Sequence, residues 1–109
     1  MGIEKQKRVE ERKVLRCTAK IVLKNAPPLK GRTLDISASG ISVMVPDPMK
    51  AGDPCIIAFD TTVQGKNMSV NVAARAVYCI CVGTAGFRIG FQFIQTDEPT
   101  VRSLVAMIL

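Results

Sequence analysis

The chain of 109 residues contains no histidine and no tryptophan, and only one tyrosine. Without histidine, a Ser–His or Cys–His nucleophile pair cannot be assembled. The sequence also lacks a P-loop, a nucleophile elbow and a paired-carboxylate signature, so catalysis has no support and a non-enzymatic role is expected. Aromatics make up 5% of the chain. That leaves little platform for stacking the bases of RNA or single-stranded DNA. No apolar run approaches the length of a membrane span. The start, Met1-Gly2-Ile3-Glu4-Lys5, lacks the apolar core of a signal peptide. Gly2 invites a myristoylation reading, but Gln6 stands where Ser or Thr is wanted. A cytoplasmic location without membrane insertion is the expectation.

Acidic residues are scarce as well. Nine Asp and Glu face 15 Lys and Arg, giving a net charge of +6 and a pI near 9.5. An anionic partner is therefore favoured. A hydrophobic fraction of 48% and a mean hydropathy of +0.23 argue for one folded domain with a core. Four cysteines, Cys17, Cys55, Cys79 and Cys81, are expected as reduced thiols. Cys79 and Cys81 form a CxC pair rather than CxxC, so no metal site is expected and buried apolar cysteines are the preferred reading.

The apolar pattern has period 2 over most of the chain. Residues 16–24, 29–37, 39–45, 55–62, 68–82 and 87–93 read as six strands. Asn25-Ala26-Pro27-Pro28, Gln64-Gly65-Lys66-Asn67 and Gly83-Thr84-Ala85-Gly86 separate some of them as turns. In the fifth strand, Val70, Val72, Ala74, Ala76, Tyr78 and Ile80 share a face, which puts Tyr78 in the core. Phe87, Phe91 and Phe93 make the last strand a main supplier of that core. Beyond Pro99 the period changes. Val101, Leu104, Val105 and Ile108 form the stripe of a short helix, with Thr96 or Asp97 as its expected cap. Six hairpin-linked strands imply an antiparallel barrel or sandwich.

One stretch carries chemistry. In Leu34-Asp35-Ile36-Ser37-Ala38-Ser39-Gly40, alternation places Thr33, Asp35 and Ser37 on a polar face, with Leu34 and Ile36 opposite. Gly40 offers a positive φ or a close approach to a ligand. Arg12 lies at the junction before the first strand, and Arg16 opens that strand. By parity Arg16 faces outward, so two guanidiniums, a carboxylate and a hydroxyl can converge if neighbouring strands pair. Guanidinium suits phosphate oxygens and the O6 and N7 edge of guanine. A carboxylate suits the N1–H and N2–H₂ donors of guanine, and Ser37 can donate to phosphate. The set fits a guanine nucleotide. The competing reading makes the arginines surface ion-pair partners, and Asp35 and Ser37 turn formers.

Arg12-Lys13-Val14-Leu15-Arg16 is an RxxxR motif, and Asp35-Ile36-Ser37-Ala38-Ser39-Gly40 is a DxSxxG motif. In this order and spacing, with the closing Ile89-Gly90-Phe91-Gln92-Phe93, the whole chain resembles the PilZ domain family. The resemblance implies an all-β fold, a six-stranded antiparallel (split) barrel with a C-terminal α-helix. It also implies binding of cyclic di-GMP by Arg12, Arg16, Asp35, Ser37 and Gly40, with no cofactor. Many members carry a further arginine just before RxxxR, where this chain has Glu11, which leaves open one or two bound dinucleotides. Arg8 begins a second RxxxR register and is at best auxiliary. Residues 1–14 are read as a flexible charged arm and 15–109 as the barrel and helix. The arm is expected to order over bound ligand and present a new surface to an unidentified effector protein. The alternative is a small basic barrel binding RNA or single-stranded DNA. Nucleic acid is the less favoured partner for want of exposed aromatics.

Overall fold

The computed structural model describes residues 11–95 and 98–108. Their strands and α-helix are β1 (Lys13–Val14), β2 (Thr18–Val22), β3 (Leu29–Ile36), β4 (Gly40–Val45), β5 (Pro54–Val63), β6 (Lys66–Cys81), β7 (Phe87–Phe93) and α1 (Pro99–Met107). All strand pairings are antiparallel. The neighbours run β3-β2-β5-β6-β7-β4, and a β3–β4 pairing closes the ring. The result is the six-stranded antiparallel barrel, with one α-helix among the described residues, at their C-terminal end. Closure removes the free sheet edges that a sandwich would keep.

Period 2 translates directly into the core. Ile21, Ile41, Val43, Ile57, Val72 and Ile89 point inward and are buried. Phe59, Phe91 and Phe93 fill the middle, so the last strand does supply much of the aromatic volume. Val101 and Leu104 of α1 are fully buried and join this core. The helix is capped by Glu98, whose carboxylate accepts a hydrogen bond from the Val101 N–H at 2.8 Å, with Pro99 in the first turn. Thr96 and Asp97, expected in that role, lie outside the described residues.

Three irregularities decide what reaches the outer surface. The first is a break between β1 and β2. Both pair with β3, β1 at Asp35–Ile36 and β2 at Leu29–Arg32. Thr33 fills the gap. Its hydroxyl accepts from the Cys17 N–H at 2.9 Å and donates to the Leu15 carbonyl at 2.6 Å. This residue was expected on the polar face with Asp35, yet it is buried. The second irregularity explains why: the β3–β4 register shifts between Thr33 and Asp35. A bulge inserts one residue and reverses parity beyond it. Thr33 thus points inward before the shift and Asp35 outward after it.

The third is a shift between Ala76 and Tyr78 on β6. Before it Val70, Val72, Ala74 and Ala76 face the core as expected. After it Tyr78 and Ile80 are exposed, not buried, because the extra residue turns them out. Cys79 turns inward and packs against the core, while Cys81, at the strand end, is exposed. The cysteines are all free thiols, but only Cys55 is fully buried. Burial pushes its thiol up to about 11, and the charge of Asp53 adds to the effect. Of the arm expected over residues 1–14, residues 1–10 lie outside the description, Arg8 included, and Lys13 and Val14 form β1.

Candidate functional site

Outward side chains on β3, β4, β7 and β6 form a row through register alone. Asp35 is opposite Ser42, Ser42 opposite Gly90, and Gly90 opposite Tyr78. Alternation places Arg88 on the same side, two residues from Gly90. Arg12 enters from the chain just before β1, which lies against Asp35 through the Val14–Asp35 pair.

Arg12 organises the cluster. Its Nε donates to Asp35 Oδ1 at 2.7 Å, and an Nη nitrogen completes an ion pair with the same oxygen. The guanidinium also makes longer contacts, 3.4 Å each, to Ser37 Oγ and Ser42 Oγ. The other Asp35 oxygen lies 3.6 Å from an Arg88 nitrogen. One carboxylate thus sits between two guanidiniums, so the cluster carries a net positive charge. Charge-assisted contacts of this kind are the stronger hydrogen bonds, but both Arg12 and Arg88 are well exposed, and solvent screens them.

Ser37 serves the corner itself. It is fully buried. Its hydroxyl accepts from the Gly40 N–H at 3.2 Å and from the Ser39 N–H at 3.3 Å. That is a serine turn holding the Ser37–Gly40 corner, so the turn-forming reading describes its bonding. Gly40 does not use a positive φ. A Cβ there would lie 2.3 Å from the Phe91 carbonyl oxygen of β7, so its small size serves strand packing.

Tyr78, expected in the core, lies on this outer face with 37% of its surface exposed. Its ring covers Gly90, where a Cβ would fall 2.1 Å from a ring carbon. Its hydroxyl is 3.5 Å from Ser42 Oγ. Ser42, Tyr78 and Arg88 are the members that sequence reasoning missed. Alternation alone would have turned Ser42 and Arg88 outward, but only the strand order brings them beside Asp35.

Arg16 is not brought to the cluster. It lines a groove of about 380 Å³ with Val14, Thr62, Val63, Met107 and Ile108, between the β5–β6 hairpin and the end of α1. It carries no hydrogen bond or ion pair among the described residues. The break between β1 and β2 sends it to the β5 flank, while Arg12 stays on the β3 flank.

The same fold occurs in solved structures that include the following two. The inhibitor of motility MotI (DgrA) of Bacillus subtilis aligns with a TM-score of 0.74 at 13% identity, over 89% of this chain and 47% of that one. This chain therefore spans about half the length of MotI. The PilZ domain of YcgR from Escherichia coli, solved with c-di-GMP, aligns with a TM-score of 0.67 at 16% identity, over 90% of this chain and 85% of that one. No curated protein matches the sequence. The match to the PilZ domain profile runs over residues 6–109 and takes in RxxxR, DxSxxG and every strand of the barrel. By that match, the chain belongs to the PilZ domain family.

Proposed function

We propose that this chain is a non-enzymatic receptor for cyclic di-GMP, bound on the outer face centred on Asp35. The observation that carries the reading is the closure of Arg12 onto Asp35, Ser37 and Ser42, which joins RxxxR to DxSxxG. Family membership and the YcgR domain solved with c-di-GMP support the choice of ligand.

Each group has a part in this reading. Asp35 accepts from the N1–H and N2–H₂ edge of a guanine. Arg12 and Arg88 neutralise phosphate or bind the O6 and N7 edge. Tyr78 offers its ring as a stacking surface, which its outward position supports. Ser37 and Gly40 hold the corner on which Asp35 depends. The Arg16 guanidinium is uncommitted among the described residues, and it joins only when ligand extends across β1.

In the free chain Asp35 is already satisfied by Arg12. A guanine that takes the carboxylate releases that guanidinium to turn toward phosphate. Ligand arrival therefore moves residue 12 and the chain leading to it, and an effector protein reads the change in the cytoplasm. This differs from simple ordering of a loose arm, because Arg12 starts from an anchored position.

Titration calorimetry tests the reading. Cyclic di-GMP should bind tightly, GMP much more weakly, and the dependence on salt should be shallow, as befits two phosphates. No heat with cyclic di-GMP, together with tight, steeply salt-dependent binding of an oligonucleotide, would overturn it in favour of nucleic acid.

A further inference from the structure

A second outer face differs in character from the first. Val22 of β2 is opposite Ile56 of β5, and Ile56 is opposite Ala73 of β6. The Ala73 carbonyl accepts from the Ile94 N–H at 3.0 Å, just past β7. These side chains form one apolar row across four neighbouring chain segments. Val22, Ile56 and Ile94 are 40%, 41% and 50% exposed. Isolated surface aliphatics are ordinary, whereas a contiguous row in register marks an interaction surface.

Cations border the row on both sides. One side has Lys20, opposite Lys30 on β3. The other has Arg75, opposite Pro54, and Lys24 two residues beyond Val22. All four are exposed, and none has an ion pair among the described residues. Among the described residues, the row and its two borders hold no carboxylate. The nearest along β5 are Asp53 and Asp60, outside these rows, and Asp60 is engaged by the Ser69 hydroxyl.

Three strand spacings of about 4.8 Å make the row about 14 Å long. That equals about two and a half turns of α-helix, enough for apolar anchors at i, i+4 and i+7. The flanking cations call for acidic residues on both sides of that seam. A membrane surface fits less well, because the row has no aromatic side chain and its aliphatics are fixed on a sheet. Nucleic acid fits less well for the same lack of a stacking surface.

We propose that the Val22–Ile56–Ala73–Ile94 row is a docking surface for a partner protein. The partner lays an acidic amphipathic helix across the strands, its narrow apolar seam on the row. The site is separate from the Asp35 face and does not rest on the ligand reading.

The test uses the full chain, labelled with ¹⁵N. The probe is a synthetic helical peptide of about 14 residues, with leucines on one seam and glutamates on both flanks. A scrambled peptide of the same composition is the control. The patterned peptide should shift the amides of Val22, Ile56, Ala73 and Ile94, and the scrambled one should not. Ile56→Ser should weaken the patterned peptide about tenfold, as should Lys20→Glu with Arg75→Glu. Should Ile56→Ser disturb folding, the charge reversal decides, since both side chains are exposed. Equal shifts from the two peptides would overturn the proposal, as would shifts confined to the Asp35 face. Stronger engagement of the row by phosphatidylglycerol vesicles or by single-stranded DNA would overturn it too.

Discussion

Arg12 and Arg16 belong to one motif and lie on two sides of a break in the strand. Arg12 is held by a carboxylate and two hydroxyls on β3, β4 and the corner between them. Arg16 lines a groove beside the β5–β6 hairpin and has no polar partner among the described residues. Both are exposed arginines, so residue type does not separate them. The hydroxyl of Thr33 does. By bonding Cys17 and Leu15 it interrupts the strand between them, and the chain leaves β1 on one flank and resumes on the other. The lesson is that a spacing of four in an extended chain fixes separation but not side, once a bulge intervenes.

Several substitutions would break or sharpen that contrast. The largest effect is expected for Gly40→Val. The added carbons would strike the Phe91 carbonyl and part β4 from β7 under the Arg12 cluster. Stability should fall by about 3 kcal/mol, read as a melting midpoint lower by about 10–20 °C. An unchanged midpoint would mean that the β4–β7 contact is looser than described.

Next is Asp35→Ala, which removes the acceptor that commits Arg12. Calorimetry should show cyclic di-GMP affinity down about a hundredfold, near 3 kcal/mol, the scale of a lost charged hydrogen bond. The melting midpoint should fall by no more than about 5 °C, because an exposed ion pair contributes at most about 1 kcal/mol. Binding at wild-type strength would remove the Asp35 face from consideration.

Thr33→Val keeps the shape of the joint and deletes its hydroxyl. The Cys17 N–H and the Leu15 carbonyl lose a partner, so stability should drop by about 1–2 kcal/mol in chemical denaturation. Amide exchange should quicken at residues 15–17 before it does elsewhere. Uniform exchange would show that the joint is held by other contacts.

The smallest effect is expected for Arg16→Ala. With no polar partner to lose among the described residues, the fold should be unaffected, and affinity should fall about tenfold or less. If Arg16→Ala instead matched Arg12→Ala, the two guanidiniums would act together in the complex. The contrast would then belong to the free chain alone.

Much of this fold is legible in the sequence. The six barrel strands and the helix follow from the two periodicities, because the core selects for alternation on strands and for i, i+3, i+4 on the helix. Bulges are not legible in the same way. Parity counted along β6 reverses at Val77, and that one residue decides whether Tyr78 fills the core or faces the site. Gly90 was an available clue, since a glycine within a strand signals a close approach, here by the Tyr78 ring. The DxSxxG corner was readable as a corner. That Ser37 staples the turn, leaving Asp35 to face outward, depends on which backbone groups its hydroxyl meets. Arg88 and Ser42 needed strand order, which no local pattern carries.

The closed ring has a thermodynamic consequence. Asp35, Ser42, Gly90 and Tyr78 stand on strands whose neighbours are bonded all the way round. No strand can peel away at a free edge to admit a ligand, so the floor is built before binding. The heat-capacity change on binding should therefore be small and negative, set by the area the ligand covers and by movement near Arg12. A value on the scale of folding a whole segment would mean that the floor itself rearranges.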